Sequence, residues 1–159
     1  MKRLGIFVDV QNIYYTCRQQ HQASFNYRAL WSYLSERGDI TVANAYAIAR
    51  RDDQQIKFQD ALRHIGFNVK LKPFIQRNDG TAKGDWDVGI TIDIIDQAPV
   101  LDEVILLSGD GDFGMLLEHV KSKNNLTTTV VSVPALTARS LLEFTDNHIT
   151  IDADSPFLK

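Results

Sequence analysis

Asp102-Glu103-Val104-Ile105-Leu106-Leu107-Ser108-Gly109-Asp110-Gly111-Asp112-Phe113 is the stretch whose reading decides the fold. Residues 102–107 form a strand without polar alternation, the pattern of a sheet centre covered on both faces. The run breaks at Ser108 into two glycines and two acids, which read either as a turn and cap or as a ligand-binding loop. In open parallel sheets, ligands bind outside the carboxyl ends of the strands. The stretch therefore predicts a central parallel strand delivering Asp110 and Asp112 to a ligand-binding rim.

Working outward, apolar β-branched runs alternate with amphipathic segments, which predicts an α/β protein with a mainly parallel sheet. Strands are expected at 4–10, 40–49, 67–75, 127–133 and 148–151 besides the central one. Helices are expected at about 12–20, 27–37, after Asp52-Asp53 up to Gly66, 85–97, 113–121 and 135–144. Along 67–75, Phe67, Val69 and Leu71 alternate with Asn68, Lys70 and Lys72, and Pro73 marks an edge strand with its lysines outward. A loop covers 76–84. One domain spans 1–151, and residues 152–159 form a short tail expected to fray.

The 159 residues carry 17 Lys/Arg and 20 Asp/Glu, a net charge of −3. Residues 50–83 hold eight basic side chains against four Asp, a net +4, and the remainder carries −7. This basic middle is either a solvated helix face with its neighbouring strand or a phosphate-binding surface. Cys17 alone excludes an internal disulfide, and no Cys/His spacing suits zinc. No apolar run approaches a bilayer span and the N-terminus leads straight into a strand, so no membrane association and a cytoplasmic location are expected.

Asp9 ends the first strand, and Asp87 begins a helix that could point to the same rim. Each has an ordinary reading, as an N-cap or a first-turn acid. Together with Asp110 and Asp112 they would repel by about 4 kcal/mol per close pair at an effective dielectric near 20. A cation or protonation must relieve that charge, and oxygen-only ligands suit Mg²⁺ or Mn²⁺.

Three blocks carry a resemblance. Phe7-Val8-Asp9-Val10-Gln11-Asn12, Lys83-Gly84-Asp85-Trp86-Asp87-Val88-Gly89-Ile90-Thr91-Ile92-Asp93 and Ser108-Gly109-Asp110-Gly111-Asp112-Phe113 are similar, in order and spacing, to the signature blocks of the NYN domain in its LabA-like branch. The resemblance implies a PIN-like three-layer sandwich with sheet order 3-2-1-4-5 flanked by helices. It also implies metal-dependent cleavage of RNA, single-stranded or structured. Carried onto this chain, the acidic site falls on Asp9, Asp87, Asp110 and Asp112, with Asn12 as a polar companion. Asp93 lies about 240° around the helix from Asp87 and ranks behind them. Asp85 stands where the motif varies and is left out.

Substrate contacts are expected from Lys83, Arg50, Arg51, Ser108 and Trp86, whose indole either stacks on a base or packs in the core. Two rival functions remain. One is a non-catalytic RNA- or metal-binding regulatory module that keeps the acidic pocket and signals by homodimerisation. The other, an Asp-nucleophile phosphatase, lacks its second acid, because Gln11 stands two residues after Asp9.

Overall fold

The computed structural model describes residues 1–49, 52–73 and 85–159, with the backbone of 75–76 and 82–83. Arg50, Arg51, the Lys83 side chain and most of the expected 76–84 loop lie outside the described residues.

Strands β1 (Arg3–Asp9), β2 (Asp39–Ala49), β3 (Asn68–Pro73), β6 (Glu103–Leu107), β7 (Thr127–Ser132) and β8 (Asn147–Thr150) form one parallel sheet. Its order is β3-β2-β1-β6-β7-β8, the 3-2-1-4-5 arrangement extended by one edge strand. A separate hairpin pairs β4 (Ile75–Gln76) with β5 (Ala82–Lys83). The helices are α1 (Val10–His21), α2 (Tyr27–Ser35), α3 (Asp53–Ile65), α4 (Asp87–Gln97), α5 (Gly114–Asn124) and α6 (Arg139–Leu142).

The pleat sorts side chains into two cores. Leu4, Ile6 and Val8 of β1, with Ile105 and Leu107 of β6, pack against Ile13 and Cys17 of α1, Leu30 and Leu34 of α2, and Leu62 of α3. Phe7, Val104 and Leu106 point the other way, toward Ile90 and Ile94 of α4, Leu117 of α5 and Leu141 of α6. A strand apolar on both pleats is needed where helices cover both faces, hence the unbroken run at 104–107. Each fully buried Leu or Ile contributes about 1.5–3 kcal/mol. Among the described residues no helix is long and apolar enough to cross a membrane.

Besides the hairpin that falls in the expected 76–84 loop, the structure differs from the sequence expectations in three places. Leu71 is 39 % exposed, while Lys70 reaches α4 and Lys72 the residues just before it: Lys70 Nζ pairs with Asp93 at 2.7 Å and Lys72 Nζ donates to the Asp85 carbonyl at 3.1 Å. The two lysines thus tie the edge strand to α4 and the residues leading into it. The expected 135–144 helix is a single 3₁₀ turn at Pro134–Leu136, an extended step at Thr137–Ala138 and the short α6. Residues 152–159 do not fray: Phe157 is buried in the first core, and its carbonyl accepts the Asn26 N–H at 2.7 Å.

Candidate active site

The chain winds outward from β1 through β2 to β3, then returns to lay β6 on the other side of β1. The switch point therefore lies between β1 and β6, where connections diverge and leave a crevice. Val8 pairs with Leu107, so Asp9 and Ser108 leave the sheet side by side.

These residues form a latch. Asp9 caps α1: one carboxylate oxygen accepts the Asn12 N–H at 3.4 Å and the other accepts the Ser108 hydroxyl at 3.2 Å. Ser108 Oγ in turn accepts the Asp110 N–H at 3.2 Å, and the Asn12 side-chain oxygen accepts the Gly109 N–H at 3.0 Å. Asp110 Oδ1 then caps the 3₁₀ turn Gly111–Phe113 through the Asp112 N–H at 2.9 Å. Ser108 is 0 % exposed with its hydroxyl engaged twice, holding the Asp9 carboxylate and the Asp110 N–H.

The glycines of this loop are there for close approach. A Cβ on Gly109 would stand 2.6 Å from the Leu136 carbonyl oxygen, and one on Gly111 would stand 2.6 Å from Ser140 Oγ. The Ala138 N–H donates to the Gly109 carbonyl at 3.0 Å, which is why the chain stays extended at 137–138 and the longer helix is broken. Gly109→Ala meets backbone and is expected to destabilise by about 1–3 kcal/mol. Gly111→Ala meets the Ser140 hydroxyl, which can rotate away, and the Ala138 Cβ at 2.9 Å, which cannot, so a loss on the same scale is expected, and urea denaturation of the two variants checks both. A groove of about 400 Å³ continues from Asp112 along α5 and α6, past Met115, Glu118, Ser140, Glu143 and Phe144.

Helix α4 brings the fourth acid. Asp85 Oδ1 accepts the Asp87 N–H at 3.2 Å and the Thr91 hydroxyl donates to the Asp87 carbonyl at 2.7 Å, fixing the first turn. One oxygen each from Asp87, Asp110 and Asp112 lies within 4.8 Å of the others. Burial raises Asp87 to about 6, and the charges of Asp110, Asp85, Asp9 and Asp112 push the same way. Burial also raises Asp9 to about 6; the hydrogen bonds from Asn12 and Ser108 oppose this, and Asp110 and Asp85 reinforce it. Among the described residues no Lys or Arg pairs with any of the four acids. The sum is a pocket of negative oxygens drawn from three separate segments.

The sequence model of the NYN domain matches residues 3–152, almost the whole chain. This chain belongs to the NYN domain family. It is 33 % identical over 165 residues to the low amplitude and bright protein LabA of Synechococcus elongatus, covering 99 % of this chain and 88 % of that protein. The crystal structure of a protein of unknown function, VPA0982 from Vibrio parahaemolyticus, superposes with a TM-score of 0.93 at 49 % identity, covering 99 % and 96 % of the two chains.

Within this NYN domain Trp86 and Asp93 have partners outside the acid cluster. The Trp86 indole N–H donates to the Ala47 carbonyl at 2.9 Å, its ring centroid lies 5.3 Å from that of Tyr46, and Lys72 Nζ sits 4.6 Å from it. Of its two expected readings, the indole takes the packing one. Asp93 accepts the Tyr46 hydroxyl at 2.8 Å and Lys70 at 2.7 Å, and Asn44 donates to the same hydroxyl at 3.1 Å, away from the acid cluster. Asp93→Asn is therefore expected to destabilise the fold by about 1–3 kcal/mol, the loss of a partly buried charge-assisted contact. Any nuclease activity should survive within severalfold, and melting and turnover measured on one preparation separate the two effects. Sequence reasoning missed Asp85, which adds its charge to the cluster. The signal was its placement two residues before Asp87, the spacing at which an Asp side chain accepts a backbone N–H.

Proposed function

We propose that this NYN domain is a ribonuclease that hydrolyses RNA phosphodiester bonds with a divalent cation, Mg²⁺ or Mn²⁺, held by Asp87, Asp110 and Asp112 with Asp9 behind them. The observation that carries this reading is the convergence of the three carboxylates within 4.8 Å at the switch point, without a compensating side-chain cation among the described residues. All donors are hard oxygens, burial first and the neighbouring carboxylates second raise Asp9 and Asp87, and no Lys or Arg among the described residues pairs with them, so the donor set fits such an ion. When bound, the ion supplies Lewis acidity to a phosphoryl oxygen and to the attacking water.

The chain's own groups do the positioning. Ser108 and the Asn12 N–H hold the Asp9 carboxylate, and the Asn12 side chain pins Gly109 so that the loop keeps its shape. Preorganised groups of this kind need no rearrangement as charge develops on the phosphate. Asp112 is the exposed member of the cluster, and in this reading it accepts a hydrogen bond from the attacking water. Water adds across the P–O3′ bond, leaving a 3′-hydroxyl and a 5′-phosphate. Membership of a PIN-like nuclease superfamily supports RNA as the substrate.

Labelled single-stranded, duplex and structured RNAs incubated with Mg²⁺, Mn²⁺ or EDTA test this directly. Cleavage by the unaltered chain with metal, and none in EDTA, is expected. Metal binding without cleavage of any of the three would overturn it in favour of a regulatory module.

A further inference from the structure

We propose that the exposed face of α1, formed by Tyr14, Tyr15 and Arg18, is a stacking surface for the bases of single-stranded RNA entering the acidic site. This rests on the ribonuclease reading above and names the form of its substrate and one side of its path.

Tyr14 and Tyr15 are 50 % and 53 % exposed, unusual for adjacent aromatic residues on a helix that buries Val10, Ile13 and Cys17 on its other side. Their ring centroids lie 5.4 Å apart with planes at 78°, an L-shaped corner. A base laid flat on one ring meets the other edge-on, an arrangement that the quadrupoles of aromatic rings favour. The Arg18 guanidinium stands 5.8 Å from the centre of the Tyr14 ring, where a cation–π contact holds a positive charge beside the corner for the phosphates of the RNA backbone. Every base has a π-face, so such a corner is tolerant of sequence.

Charge and position agree. Residues 10–35 contain no Asp or Glu, while Arg18, His21 and Arg28 stand among them. A polyanion repelled by the bare carboxylates meets no acid along this helix. At 1.5 Å per residue, Tyr14 and Tyr15 begin about 8 Å along the axis from Asp9, which caps the same helix. At about 100° per residue, Gln11, Tyr14, Tyr15 and Arg18 fall within roughly a 100° arc, clear of the Asn12 side that faces Gly109. The face therefore begins about one and a half turns from Asp9, the acid that caps its helix, on the route of a strand leaving that acid. A duplex, with its bases stacked on one another, offers nothing to the corner.

Fluorescence anisotropy of a labelled single-stranded oligoribonucleotide in EDTA reads binding apart from cleavage. Tyr14→Ala and Tyr15→Ala are each expected to weaken binding about tenfold, and Tyr15→Phe, which keeps the ring, to stay within about twofold of the unaltered chain. Arg18→Ala should lower the slope of log affinity against log salt by about 0.7, whereas the tyrosine variants leave that slope unchanged. In turnover, KM should rise more than kcat falls. Undiminished affinity in the Tyr14→Ala/Tyr15→Ala double variant overturns the proposal, even if the unaltered chain cleaves RNA. A switch from dimer to monomer in sedimentation, with RNA affinity intact, also overturns it and assigns the face to a second copy of the chain. Loss of binding in the tyrosine variants of a protein that cleaves no RNA supports the surface and removes only the ribonuclease reading.

Discussion

Asp110→Asn is expected to lower the rate of RNA cleavage at least about a hundredfold, the scale on which removal of one preorganised electrostatic group is felt. The same change should leave the metal-free protein at pH 7 as stable as before, or more stable by about 1 kcal/mol. Asparagine keeps the oxygen that accepts the Asp112 N–H at 2.9 Å, so the turn retains its cap. What disappears is one negative charge that destabilises ionised Asp87 and Asp9. Loss of activity together with retained or raised stability separates a site residue from a structural one, because a structural residue loses both. Turnover on labelled RNA and thermal melting in EDTA read the two quantities. Cleavage at the unaltered rate would show that Asp110 has no part in the chemistry.

The second large effect is on stability against pH in the absence of metal. Asp9 has a pKa of about 6 in the folded chain and 3.8 as its ordinary value. Between those values the folded state binds more protons than the unfolded one. The stability this confers is complete below about pH 4 and is lost as pH rises through 6, by about 3 kcal/mol at most. Asp87 acts in the same direction with a smaller share, because solvent screens its more open carboxylate. His148, whose pKa burial lowers, opposes them over part of the same range. The clean comparison is therefore Asp9→Asn against the unaltered chain. In EDTA the variant should be the more stable at pH 7, by about 1–3 kcal/mol less the cost of the altered Ser108 hydrogen bond, and the gap should close near pH 4. Saturating Mg²⁺ should restore the unaltered chain by about 2.7 kcal/mol at a hundred times its Kd, and more at pH 7 than at pH 5, where protons compete for the same oxygens. A variant no more stable than the unaltered chain at pH 7 would show that the buried Asp9 charge is already compensated.

How much of this was legible in the sequence depends on whether the signal was local. The run Val104–Leu107 announced a doubly covered strand, and its two pleats do face the two cores. Asp9, Asp110 and Asp112 were readable because a strand end followed by Asp is a local pattern, and the switch point then brings the segments together without further information. The fate of 135–144 was not readable, since it turns on a hydrogen bond from Ala138 to Gly109 and on the missing Cβ atoms of Gly109, Gly111 and Gly114, all contacts across the fold. Lys70 and Lys72 looked like solvated edge residues because α4 and the residues just before it, which meet them, lie further along the chain. Asn12 was expected beside the acids from the resemblance and Ser108 as a substrate contact, while the use of their oxygens on Asp9, Asp110 and Gly109 depends on contacts between segments about a hundred residues apart or on the turn they form.

Crystals grown with Mn²⁺ and measured at the manganese absorption edge provide the most direct test. An anomalous peak within coordination distance of carboxylate oxygens of Asp87, Asp110 and Asp112, absent from Asp110→Asn crystals, is the expected result. Saturating Mn²⁺ with no peak there, or a peak elsewhere that Asp110→Asn leaves unchanged, would contradict the proposed metal site at the β1–β6 switch point.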